Sequence, residues 1–179
     1  MIRDETTDKY IQHNNRTVFL IGEINRETSM KVIYNIQLLN KESTEPIILQ
    51  INSGGGSVED GLAIIDIMRA SVAPVYTIAL GQAHSMASLI LAAGKKGYRK
   101  ANKNCSILLH QLQTGYQGKF DDVTALYNHV NRLTDIINDS YVTFTGQNQE
   151  KIKKDLQSTI VLMGQEAIDY GIIDNIISY

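Results

Sequence analysis

The sequence predicts an α/β fold made of strand–helix–strand crossovers. Three observations point there. Apolar, β-branched runs at Thr17–Ile21, Ile47–Ile51, Val75–Ala79 and Ile107–Leu109 begin at positions 17, 47, 75 and 107. That spacing, roughly 30 residues, is the size of one crossover unit. The first three runs are continuous rather than alternating, as in strands buried on both faces. Helical patterns fill the gaps, and such alternation implies a largely parallel sheet. The units share no side-chain motif, so the period reflects architecture and not a sequence repeat.

Taken in order, the first helical pattern runs from about Thr28 to Asn40 and sets Met30, Ile33, Tyr34 and Leu38 on one side. The second opens at Ser57 with Asp60 three residues on, which resembles a capping box, and continues through Val58, Leu62, Ile65 and Met68. After His110 the texture changes. Gln113 to Lys119, with Gly115 and Gly118 among polar residues, reads as a loop or an exposed arm. Phe120 to Phe144 is a helical pattern of roughly 36 Å, long for a domain of this size. Its apolar stripe needs a partner surface, and a second subunit is a natural one. Helical stretches near Asn148–Leu156 and Gln165–Tyr170 follow, with Gly171 placed as a C-cap, and Ile172 to Ile177 closes the chain as an apolar segment. The 179 residues, with two prolines and no low-complexity run, read as one domain spanning 1–179.

Composition removes several function classes. A formal charge of −2 gives no electrostatic reason for nucleic acid or an anionic membrane as main partner. The one cysteine, Cys105, rules out an intrachain disulfide framework and fits a reducing compartment, here the cytoplasm; it reads as a small packed thiol. Met1 to Asn15 is polar and charged, unlike a signal peptide. The most apolar stretch, Val75 to Ala93, is broken by Gly81, Gln82, His84 and two serines, too soon for a membrane span of about 20 apolar residues.

The chemistry concentrates at three strand ends. Gly54-Gly55-Gly56 follows the second strand and precedes a helix, where backbone N–H groups can hold an anion or an oxyanion. A tight structural turn explains it equally well, and no lysine follows as in a phosphate-binding loop. Ser85 lies in Gly81-Gln82-Ala83-His84-Ser85-Met86, where a strand passes into a helix of small residues. It reads either as a nucleophile favoured by the helix dipole or as an ordinary N-cap. His110 ends the strand Ile107-Leu108-Leu109. Parallel strands bring their C-terminal ends to one edge, so glycines, serine and histidine meet there and suggest acyl transfer. His84 adjoins Ser85 and points away from it on a helix start, and His13 and His129 have no metal-type spacing with the others.

At these residues the chain resembles the Clp protease proteolytic subunit, the ClpP-type serine peptidase family, from about Arg16 to Ile177. Ile51-Asn52-Ser53-Gly54-Gly55-Gly56-Ser57-Val58 is similar to the family's Asn-Ser-Pro-Gly-Gly segment. Ala83-His84-Ser85-Met86-Ala87 falls on its nucleophile turn, Leu109-His110-Gln111 on its histidine segment, and Gln165 to Asp174 on its C-terminal signature. The resemblance implies a ClpP/crotonase-like fold and seven-membered rings stacked into a chambered barrel. It implies Ser85 as nucleophile, His110 as base, and the N–H groups of Gly55 and Met86 as oxyanion hole. The arm and long helix, about 113–144, would be the strand-plus-helix handle that joins the rings. Unfolded polypeptide would be the substrate and an AAA+ ATPase the partner that feeds it in, with no cofactor or metal in the peptidase subunit.

Three departures accompany the resemblance. The family's acid, read without gaps between Asp155 and Glu166, falls on Thr159. A threonine hydroxyl can accept a hydrogen bond from imidazole but brings no charge; neutralising the equivalent aspartate in a serine peptidase lowers turnover about 10⁴-fold. Gly54 stands where the family has proline. Met1 to Asn15 leaves less chain than the family uses for axial loops that contact the ATPase. Two other readings follow: a structural or regulatory subunit of a mixed ring, and a crotonase-type acyl-CoA enzyme using the same glycine turn. The acyl-CoA reading lacks the carboxylates that such chemistry usually needs.

Overall fold

A computed structural model describes residues 16–177 apart from Tyr116 and Gly118. Met1 to Asn15, with His13, and Gly118 of the arm lie outside the described residues. Among the described residues seven strands form one sheet: β1 (Thr17–Ile21), β2 (Ile47–Ser53), β3 (Val75–His84), β4 (Arg99–Asn102), β5 (Ser106–Leu109), β6 (Ile160–Met163) and β7 (Asn175–Ile177). The main path runs β1-β2-β3-β4-β7, every pair parallel. The described helices are α1 (Arg26–Glu42), α2 (Val58–Ala70), α3 (Met86–Ala92), α4 (Phe120–Thr145), α5 (Gln149–Gln157) and α6 (Gln165–Tyr170). The α/β crossover architecture expected from the spacing is the one observed.

The sheet forks at β3, which is twice the length that its apolar run predicts. Its first half pairs with β4 from Thr77 to Ala79, and its second half pairs with β5 from Gln82 to His84. Gly81 stands between the halves at φ +72, a left-handed conformation that re-aims the strand without a Cβ penalty. β5 then pairs antiparallel with β6. Polar Gln82 and His84 hide this second half from a hydrophobicity pattern. β4 (Arg-Lys-Ala-Asn) is hidden in the same way, by charge.

Two expectations about burial are corrected. Burial alternates along β1, β2 and β3 rather than being continuous, and Phe19 and Ile21 of the edge strand are exposed. One sheet face is sealed by helices and the other is covered only in part. In α1 the buried face is Ser29, Val32, Ile36 and Leu39, whereas Met30 and Tyr34 lie outside. Two apolar stripes compete on that helix, and the branched one fits the sheet. At its start Asn25 and Thr28 form a full capping box. The box expected at Ser57 is half made: Ser57 Oγ accepts from the Asp60 N–H, while Asp60 accepts from Ser29 Oγ.

Helix α4 has 26 residues, about 39 Å by helical rise. Only Ile137, Asn138 and Tyr141 are buried, all toward its C-terminal end, while Phe120 and Tyr127 are exposed. The described residues of 113–119 form no strand, so the arm of the expected handle is irregular within one chain. Gly171 caps α6 in the left-handed conformation, as its position predicts.

A buried ion pair ties the far end of the sheet to α4. Arg99 donates to both Asp174 oxygens, at 2.6 and 3.0 Å, and to the carbonyls of Ala92 and Phe144. Burial alone would raise the Asp174 carboxyl; the hydrogen bonds and charge of Arg99, joined by the Gly97 N–H, hold it below its ordinary value. Its stabilisation is therefore complete above the unfolded pKa near 4 and is lost as pH falls through the lower folded value. Asp174→Asn should cost about 3 kcal/mol at neutral pH and flatten the loss of stability below pH 4, read by urea unfolding at both pH values.

Candidate active site

Ser85 follows the last residue of β3, and His110 follows the last residue of β5. Because β3 and β5 are parallel neighbours, with His84 opposite Leu108, both residues emerge at one sheet edge. The Ser85 N–H donates to the Leu108 carbonyl at 2.7 Å and locks the two strand ends together. Both residues line one small cleft, with Met86, Val58, Leu112 and Tyr141. An adjoining, larger cleft shares Leu112 and Ile137 with it and continues toward α5.

The backbone at Ser85 bears on both of its readings. Its φ of +54 and ψ of −125 lie where only glycine rests without cost. Its side chain makes no capping hydrogen bond to α3. An N-cap serine does the opposite: it sits in extended backbone and spends its oxygen on the helix. Here the sharp strand-to-helix turn lifts an uncommitted Oγ into the cleft, as in the strained nucleophile turn of α/β hydrolases. Ser85 and Arg16 are the two non-glycine residues at positive φ among the described ones.

The glycine turn packs directly on this serine. A Cβ on Gly55, at φ +93, would come within 2.7 Å of both the His84 carbonyl oxygen and Ser85 Cβ, and 3.3 Å from the Met86 nitrogen. The Gly55 and Met86 peptides thus border the same few ångströms. The Gly55 N–H, however, donates to Ser53 Oγ at 3.1 Å. Gly56 N–H and Met86 N–H have no acceptor among the described residues. The Gly55→Ala Cβ would push on Ser85 and on the Met86 peptide, so it should lower peptidase activity about 10²-fold, the scale of displacing one oxyanion donor, and slow fluorophosphonate labelling of Ser85 in step.

His110 is oriented by its neighbours only in part. Its Nδ1 is buried and without a hydrogen-bond partner, which leaves Nε2 as the nitrogen available to the cleft. No hydrogen bond joins Ser85 Oγ to His110 here, and such contacts tighten when substrate binds. The β5–β6 register pairs Leu109 with Ile160; carried one residue further, it sets Thr159 opposite His110. Thr159 is exposed. Asp155 does not replace it. Its carboxylate is held by Lys151 at 2.5 Å and by the Tyr170 hydroxyl at 2.9 Å. Burial would raise that carboxyl, but the hydrogen bonds of Lys151 and Tyr170 keep it below its usual range.

The other sequence candidates lie apart from this chemistry. His84 Nε2 contacts Ser106 Oγ at 2.8 Å; burial, then the nearby His110, pushes its pKa down. His129 pairs with Glu59 on the surface at 3.0 Å. Cys105 is buried, and burial pushes its thiol up to about 11, which makes it inert. No group of three or more His, Cys, Asp or Glu placed to hold a metal occurs among the described residues. No described helix is long and apolar enough to cross a membrane.

The family model for Clp protease matches residues 3–179, nearly the whole chain. The chain belongs to the Clp protease family. It is a serine-type endopeptidase of that family, with protein or peptide as its class of substrate. Sequence reasoning alone did not find Ser88 or Tyr141, whose hydroxyls meet beneath the Ser85 turn of this Clp peptidase. Tyr141 occupies an apolar position of a helical stripe, so its pattern signals packing and conceals its hydroxyl.

Proposed function

We propose that Ser85, His110 and Met86 carry out peptide hydrolysis in this Clp peptidase, within a barrel of two stacked seven-membered rings. Ser85 Oγ attacks the scissile carbonyl carbon while His110 Nε2 takes its proton. The carbonyl π pair becomes an oxyanion, held by the Met86 N–H and by a glycine N–H. Gly56 is the better second donor because the Gly55 N–H already serves Ser53. Collapse returns the electron pair, breaks the C–N bond and passes the His110 proton to the departing amine. Water then repeats the sequence on the acyl-enzyme.

The observation that carries this reading is the positive φ of a serine whose side chain caps nothing. The adjoining cleft, bordered by Leu112 and Ile137, suits an apolar substrate side chain. Assembly draws support from α4, whose exposed Phe120 and Tyr127 need a partner surface, so the handle role of about 113–144 is part of the proposal. So are the crotonase-like form of the fold, delivery of unfolded polypeptide by an AAA+ ATPase and a cytoplasmic location. Fluorogenic-peptide hydrolysis measured across size-exclusion fractions tests the reading. Activity coincident with a 14-subunit species and blocked by a fluorophosphonate supports it; active monomer would overturn the assembly.

The unpartnered Nδ1 of His110 favours one second reading. Here the chain is a low-turnover or structural subunit that completes mixed rings beside an active homologue. Efficient cleavage by the pure homo-oligomer would eliminate it.

A further inference from the structure

Beneath the nucleophile turn lies a buried relay of hydroxyls that peptide hydrolysis does not itself use. Tyr141, on α4, and Ser88, on α3, are 2 % and 0 % exposed. Their hydroxyl oxygens are 2.7 Å apart. Ser88 Oγ donates to the Ser85 carbonyl at 2.7 Å, and the Ser88 N–H donates to the same oxygen at 2.9 Å. The Tyr141 hydroxyl also lies 3.4 Å from that oxygen, a long contact. Each hydroxyl has one proton. The arrangement that satisfies both short bonds is Tyr141 O–H to Ser88 Oγ, and Ser88 O–H to the Ser85 carbonyl. Two hydroxyls in sequence polarise each other and strengthen the chain. Burial pushes the Tyr141 phenol well above its ordinary pKa, so the donor keeps its proton.

The Ser85 carbonyl and the Met86 N–H are opposite ends of one planar trans peptide. Whatever fixes the carbonyl therefore aims the N–H the other way. We infer that Tyr141 and Ser88 are positioning residues that hold the Ser85–Met86 peptide so that the Met86 N–H faces the oxyanion. They also pin ψ of a residue kept at φ +54, a conformation that would otherwise relax. The inference rests on Ser85 being the nucleophile and Met86 an oxyanion donor. It adds how the donor is aimed, and that the aiming element comes from the long helix.

The test uses the full assembled protein with Tyr141→Phe and Ser88→Ala. A substrate-derived peptide boronate serves as transition-state analogue, and kcat and KM are measured on a fluorogenic peptide. Misaiming a donor should lower kcat about 10-fold, less than the 10²–10³-fold loss on deleting one, with KM within about twofold. Boronate affinity should fall by the same factor as kcat/KM, because only the transition state and its analogue feel the N–H. The double variant should lose little more than either single one, since both break one chain. A purely structural role would lower thermal stability without that parallel. If Tyr141→Phe fails to fold, Ser88→Ala carries the same comparison. Variants that match wild type in kcat and boronate affinity, or that lose activity through KM alone, overturn the inference. Wild-type labelling by a fluorophosphonate is scored alongside. A wild type that neither labels nor hydrolyses sinks the Ser85 assignment and this inference with it; a wild type that labels, with variants equal to it, sinks this inference only.

Discussion

Ser85→Ala should remove peptide hydrolysis, by about 10⁶-fold as for nucleophile deletions in serine peptidases, and leave the fold intact. The two halves of that result discriminate between the roles a serine can have here. Deleting an N-cap hydroxyl costs about 1 kcal/mol of stability. The Ser85 side chain makes no capping hydrogen bond, so its removal should leave the unfolding midpoint nearly unmoved. Alanine at φ +54 is no worse placed than serine, and the turn is held by backbone bonds to Leu108 and Ser88. Activity assays and thermal melts on one preparation check both halves. Persistent hydrolysis would end the assignment, and a large drop in melting temperature would restore the cap.

Thr159→Asp should raise kcat/KM. Register sets position 159 opposite His110, whose buried Nδ1 has no partner. A carboxylate there would accept the Nδ1–H, fix the tautomer that presents Nε2 to Ser85, and stabilise the imidazolium that forms in the transition state. Losing such an aspartate costs about 10⁴-fold elsewhere. Installing one in a site not shaped around it should recover part of that, about 10²-fold. Position 159 is exposed, so the new charge carries little burial penalty. Steady-state kinetics on a fluorogenic peptide measure the gain, with Thr159→Asn separating the hydrogen bond from the charge. An unchanged kcat/KM in both variants would mean that His110 is oriented by something other than position 159. Asp155 does not supply that group, because Lys151 and Tyr170 hold its carboxylate.

Much of this site was legible in the chain. A serine, a histidine and a glycine run, each just past an apolar strand, converge if the strands are parallel, and β2, β3 and β5 are. Helices α2, α5 and α6 and the cap at Gly171 also follow from periodicity and from the residues that start and stop helices. Other features escaped for identifiable reasons. Strand β4 and the second half of β3 are polar, because neighbouring strands and not hydrophobicity define them. The buried stripe of α1 is one of two apolar stripes that sequence cannot rank, since shape against the sheet chooses between them.

By itself the sequence determined which chemistry-bearing groups exist and at which strand ends they stand, since hydrophobic period and turn residues are local properties. Only the tertiary structure decided what each group is free to do. It put Ser85 in a strained turn with its oxygen unspent, committed the Gly55 N–H to Ser53 and Asp155 to Lys151, and left His110 Nδ1 without an acceptor. It also brought Tyr141 from 56 residues away to the Ser85 carbonyl. Backbone strain and hydrogen-bond commitment depend on neighbours distant in the chain, so no local pattern could carry them.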